Sequence, residues 1–273
     1  GERFHLIDVL APLLDACRIK VYSIDSVAGQ AWITEDNSIR NAAKVQEQFD
    51  QMIVHEIVPA IHHDCGYPSD LEIFTAGASI GAFNALSTLC KHPEIFTKAI
   101  CMSGTYDVRK FMTGPEPAEW SYQSPLQFLP RIPEDSEHMA NLRKTFVLLT
   151  HGEGKYEDPD QSWEVANALG ARDIPNRVDS WGKDWDHDWI TWRAMLPKYL
   201  DEFAPPAKET VIEVDTGSSD ENSPQAPAEP HAESLAADRT ASAAKAATAK
   251  PPAKKAPASA TAKKASPPAT KTS

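Results

Sequence analysis

Leu71-Glu72-Ile73-Phe74-Thr75-Ala76 runs into Gly77-Ala78-Ser79-Ile80-Gly81 and then into Ala82-Phe83-Asn84-Ala85-Leu86. The first stretch reads as a buried strand and the last as a helix, so the serine sits on the turn between them. A serine with glycine two residues to either side, on a strand-to-helix turn, is the pattern that presents a hydroxyl as a nucleophile. Such a turn strains the serine backbone and brings neighbouring backbone too close for side chains at the flanking positions. It also places the hydroxyl at a helix N-terminus, where partial positive charge favours a developing anion and the Ile80 backbone N–H is a candidate oxyanion donor. Three fixed residues recur by accident in roughly one chain in ten of this length. The flanking strand and helix therefore carry the weight; without them the motif is an ordinary Gly-rich turn.

Working outward, the periodicity alternates. Residues 3–16 repeat apolar positions at helical spacing, residues 19–24 read as a strand, and a long helix is predicted over 38–61. After the elbow helix come a strand over 98–103, a Pro-rich irregular region over 114–133, a strand at 146–150, a helix at 160–170, a strand at 177–181 and a closing helix over 188–203. Strands that alternate with helices predict an α/β fold: a mostly parallel sheet with helices on both faces and functional groups at the carboxyl ends of its strands.

The chain divides by composition. Residues 1–203 hold all seven Trp and all six Tyr, and carry a net charge of −13; residues 204–273 contain no Phe, Tyr or Trp. The second part is acidic over 204–238, at −7, and basic over 239–273, at +8. Its Ala, Pro, Lys, Ser and Thr cannot bury enough apolar surface to offset chain entropy, so a disordered tail is expected. Lys pairs such as Lys254-Lys255 resemble tails that make weak, salt-sensitive contact with nucleic acid or anionic surfaces, although a solubilising appendage without a partner is the favoured reading. Cys17, Cys65, Cys90 and Cys101 show no paired spacing and are expected as buried free thiols. No apolar run approaches the ~20 residues of a membrane span, and a cytoplasmic location is the expectation.

A serine hydroxyl needs a general base, and the base needs an acid to fix its tautomer. His187 lies in Trp185-Asp186-His187-Asp188-Trp189, between the last predicted strand and the last helix, which makes it the first candidate base. His151, directly after a strand, is the runner-up and is expected to line the site. The acid is expected between nucleophile and base in chain order, where the loop after 146–150 offers Glu157 as first choice, Asp158 as second and Glu153 as third. Asp107 reads instead as a cap for a short helix over 108–112. Adjacent side chains in His62-His63-Asp64-Cys65 point in different directions, so no metal and no cofactor is expected. Trp181, Trp185, Trp189 and Trp192 surround His187; the spacing of the last three places at least two on a helix face toward the core, and Trp185 is a candidate substrate contact.

The Gly77–Gly81 turn, the Ser103-Gly104-Thr105-Tyr106-Asp107 run, Ser124-Pro125-Leu126 and the 185–189 block together resemble the putative-esterase branch of the α/β-hydrolase superfamily, relatives of the esterase D and antigen 85 proteins. The resemblance covers residues 1 to about 203. It implies a carboxylic-ester hydrolase acting through an acyl-enzyme, with Ser79 as nucleophile, His187 as base, Glu157 or Asp158 as acid, and a small-molecule ester as substrate. In that family the first strands and one of two oxyanion donors precede the part matched by residues 3–16. The expectation is therefore a chain lacking those strands at its N-terminal end, and poorly folded or inactive without them. Acyl transfer to an alcohol uses the same residues, and a catalytically inactive binding protein with a polyanion-binding tail is the competing class.

Overall fold

The computed structural model describes residues 5–25, 27–33, 38–111 and 118–206. In chain order these form α1 (Leu6–Asp15), α2 (Val27–Ile33), α3 (Ile39–Met52), a π-helical turn (Ile53–Ile57), α4 (Val58–Asp64), β1 (Ile73–Ala78), α5 (Ile80–Lys91) and β2 (Phe96–Met102). Short 3₁₀ turns and α6 (Pro125–Phe128) then lead to α7 (Glu137–Leu142), β3 (Phe146–His151), α8 (Pro159–Gly170), β4 (Asn176–Ser180) and α9 (Trp189–Phe203). The four strands pair in the order β1-β2-β3-β4, all parallel, so every connection crosses back over the sheet.

The strands are apolar on both faces because both faces are covered. Ala99, Cys101, Val147 and Leu149 join the core formed with α5 and α8, whereas the alternate residues Ile100, Met102 and Leu148 pack with α1 and α9. Register brings the strand ends into line: Ala78 pairs with Met102, Met102 with Thr150, and His151 with Ser180. One further hydrogen bond follows each end, from Ser79 N to Met102 O (2.9 Å), Ser103 N to Thr150 O (2.6 Å) and Trp181 N to His151 O (2.9 Å). The residues just past the strands are thus fixed by the ladder itself.

The strand expected at 19–24 does not form. The segment is irregular, with Ile19 and Ile24 packed on the two cores and Val21 half exposed. A strand needs a hydrogen-bonding neighbour, and among the described residues the sheet stops at β1. Lys20 Nζ and Tyr22 OH instead bind the Asp64 carboxylate at the end of α4, at 3.0 and 2.5 Å. That contact also shows how Asp64 is engaged. Two further expectations are corrected. The Pro-rich region is built of short helical turns from Ala118 onward, whose Trp120 is buried against Trp32 and Phe83. Cys17 is exposed, whereas Cys90 and Cys101 are buried; all four thiols are free. The residues of the tail from 207 onward lie outside the described part, as do residues 112–117.

Candidate active site

Four loops at the carboxyl ends of the strands supply the site. Ser79 follows β1 and caps α5 with φ 55° and ψ −123°, a left-handed backbone that a non-glycine residue adopts only when held there. Its N–H is tied to Met102 O, its carbonyl accepts from Ala82 N (3.0 Å) and Thr105 N (3.2 Å), and so the turn is pinned from three sides. A Cβ on Gly77 would collide with the backbone of Gly81 and approach Ala82 N at 2.9 Å, which explains the first glycine of the motif. Ile80 begins α5, and its backbone N–H belongs to the first turn, where intrahelical acceptors run out.

His187 reaches back from the loop after β4, its Nε2 2.9 Å from Ser79 Oγ. The loop is locked to the one after β3. Gly154 N donates to Trp185 O at 3.0 Å, His187 N donates to Lys155 O at 3.0 Å, and Lys155 N donates to Asp186 Oδ1 at 2.6 Å. Gly152 and Gly154 face Trp185 and Asp186 so closely that neither has room for a Cβ. Asp188 then caps α9 by accepting from Ile190 N and Thr191 N, which fixes where the His187 loop ends.

Of the loop carboxylates, Glu157 comes to His187. Its Oε2 lies 3.7 Å from His187 Nδ1, and its side chain is only 1% exposed. That separation is longer than a hydrogen bond; contacts between a base and its orienting acid are often looser in the absence of substrate. Asp158, one residue on, points elsewhere: it stands at the start of α8, half exposed, 3.9 Å from Lys110 Nζ. Glu153 accepts from Ser180 Oγ at 2.6 Å. Asp107 caps the turn that follows it by accepting from Arg109 N and pairs with the Arg109 guanidinium, which holds its carboxyl below the usual range.

His151 is 1% exposed, its Nδ1 has no hydrogen-bond partner among the described residues, and burial pushes its pKa below the usual imidazole value, against the opposing charges of Glu157 and Glu153. Trp185 is partly buried and packs edge-on against Trp181 at 4.7 Å, which braces the loop. Trp189 and Trp192 lie on α9 and pack on the core, as the spacing predicts. The contacts of two residues at the site, Ser103 and Trp192, escape sequence reasoning. Ser103 Oγ donates to Glu157 Oε1 at 2.6 Å, and Trp192 Nε1 donates to Ser103 Oγ at 3.0 Å. A serine directly past the end of β2, in register with Ser79 past β1, is the one signal that could have found the first.

Comparison with known proteins places the chain in an esterase family. The family described as "Putative esterase" matches residues 21–229. Among solved structures, a ferulic acid esterase superposes with a TM-score of 0.50 at 18% identity, over 74% of this chain and 78% of that one. The S-formylglutathione hydrolase of Agrobacterium tumefaciens gives 0.44 at 18% identity, over 57% of this chain and 56% of that one, so the chain spans little more than half of it. MPT51 (FbpC1) of Mycobacterium tuberculosis gives 0.42 at 15% identity, over 57% and 68%. No curated protein matches the sequence.

Proposed function

Because the chain belongs to the "Putative esterase" family, and is with it a carboxylic-ester hydrolase of α/β-hydrolase fold, we propose that Ser79, His187 and Glu157 are its catalytic triad. The observation that carries the reading is the 2.9 Å contact between His187 Nε2 and Ser79 Oγ, made across 108 residues of sequence by two loops at the carboxyl end of the sheet. Ser79 Oγ attacks the ester carbonyl while His187 Nε2 takes its proton. His187 returns that proton to the leaving alcohol, and water then cleaves the acyl-enzyme by the reverse sequence. Glu157 orients the imidazole so that Nδ1 carries the other proton. The Ile80 N–H and the N-terminal end of α5 stabilise the oxyanion. The substrate is a small-molecule ester, with Trp185 at its approach; His151, expected from the sequence to line the site, is 1% exposed and stands behind it. The hydrolase domain is taken as residues 1–203, with the family match running on to 229, and a weak polyanion contact is the reading that the basic half of 204–273 supports.

A fluorophosphonate probe tests the triad directly, because it reacts only with an activated serine. Stoichiometric labelling at Ser79, abolished in Ser79→Ala and strongly slowed in His187→Ala, is the expected result. A folded protein whose Ser79 resists the probe overturns the assignment.

A further inference from the structure

We propose that Ser103 and Trp192 form a one-directional hydrogen-bond relay that holds the Glu157 carboxylate in position for His187; the proposal rests on the triad assignment above. Glu157 is a side chain 1% exposed to solvent, and a buried carboxylate requires donors. One oxygen, Oε2, faces His187 Nδ1, and the other, Oε1, is taken by the Ser103 hydroxyl at 2.6 Å. A serine hydroxyl alone has no preferred direction, since it can donate one proton or accept at two lone pairs. Here Trp192 decides. An indole N–H can only donate, and it stands 3.0 Å from Ser103 Oγ, in the buried core. Ser103 must accept from it, so its own proton is directed to Glu157, as the short O–H···O⁻ distance reflects.

The backbone at Ser103 argues in the same direction. Its φ of 46° lies in the left-handed region that glycine occupies without cost, yet a serine is held there by the 2.6 Å bond from its N–H to Thr150 O. What serine offers over glycine at this position is the hydroxyl. Trp192 has a second contact: its ring meets the His187 ring edge-on, centroids 5.1 Å apart at 84°. One side chain of α9 thereby braces the base directly and the acid through Ser103.

The test compares Ser103→Gly, Trp192→Phe and the double variant, with folding checked by circular dichroism. Ser103→Gly removes the hydroxyl while relieving the left-handed strain, and Trp192→Phe removes the donor while keeping an aromatic ring against His187. Ser103→Gly should lower kcat for p-nitrophenyl acetate by roughly 10- to 100-fold, the range for a hydrogen bond to a charged group, and Trp192→Phe, which removes a bond between neutral groups, by roughly 2- to 10-fold, both with KM unchanged. The double variant should lose little more than the worse single one, because both act through Glu157. A purely structural role predicts kcat falling only with the folded fraction, and additive losses. Folded Ser103→Gly with kcat within twofold of the parent overturns the relay. If the parent is labelled by fluorophosphonate at Ser79 while Ser103→Gly is labelled as fast, the relay fails and the triad stands. A parent that resists the probe overturns both.

Discussion

Replacing Gly77 by alanine should disable the site, whereas the same change at Gly81 should be tolerated. A Cβ on Gly77 would lie well under 3.0 Å from both the carbonyl oxygen and carbon of Gly81 and 2.9 Å from Ala82 N. All three are backbone atoms of α5, so no side chain can swing aside. The strand end and the helix start must separate instead, by about 1 Å, a misplacement of the scale that costs ~100-fold in rate. Ser79 is carried by that junction, and its Oγ is 2.9 Å from His187 Nε2, so the same movement takes the pair beyond hydrogen-bond distance. Overpacking of this kind also costs about 1–3 kcal/mol of stability. A Cβ on Gly81 meets nothing within 4 Å, and alanine favours a helix by up to about 1 kcal/mol over glycine. The assay is kcat and KM for p-nitrophenyl acetate together with the midpoint of urea unfolding, for both variants. Expected are a large loss in kcat and a lower midpoint for Gly77→Ala, and near-parental values for Gly81→Ala. Parental turnover in Gly77→Ala, or equal damage from the two substitutions, would refute the reasoning.

Two further outcomes are expected. Glu157→Ala should lower kcat by roughly 10³- to 10⁴-fold, while Asp158→Ala, an exposed residue paired at 3.9 Å with Lys110, should change stability by no more than about 0.5 kcal/mol and leave turnover intact; the reverse pattern in steady-state kinetics sinks the choice of acid. His151 gives the fold a pH dependence. Burial lowers its pKa in the folded protein against the facing charges of Glu157 and Glu153, so on acidification below about 6.5 the unfolded chain takes up the proton first. Its contribution is to make stability fall with decreasing pH, by at most about 1.4 kcal/mol per pH unit, until the folded-state pKa is passed and the loss levels off. Urea midpoints from pH 7.5 to 5 should show a flatter slope in His151→Asn, and identical slopes would contradict the assignment of a buried neutral imidazole.

Much of the molecule is written locally. The four sheet strands and the helices α1, α3, α5, α8 and α9 follow from apolar period, and the elbow from two glycines and a serine between a strand and a helix, because those signals arise from neighbours in the chain. Ser79 and His187, the proposed nucleophile and base, could be paired from their places between a strand and a helix, since a parallel sheet delivers successive loops to its carboxyl end. Residues 19–24 mark where this stops: they have the composition of a strand, but a strand exists only with a partner, and composition does not say whether one lies alongside. The choice between Glu157 and Asp158 is of the same kind. They are adjacent and chemically equivalent on paper, and only the interlocked backbones of Gly152–Lys155 and Trp185–His187 send one inward to the imidazole and the other outward to Lys110. Ser103 and Trp192 are 89 residues apart and acquire a shared task only when β2 and α9 pack. Sequence by itself determined the elements and the types of group at the strand ends. Which groups touch was decided by tertiary packing, because a hydrogen bond depends on distances of tenths of an ångström that no spacing in the chain encodes.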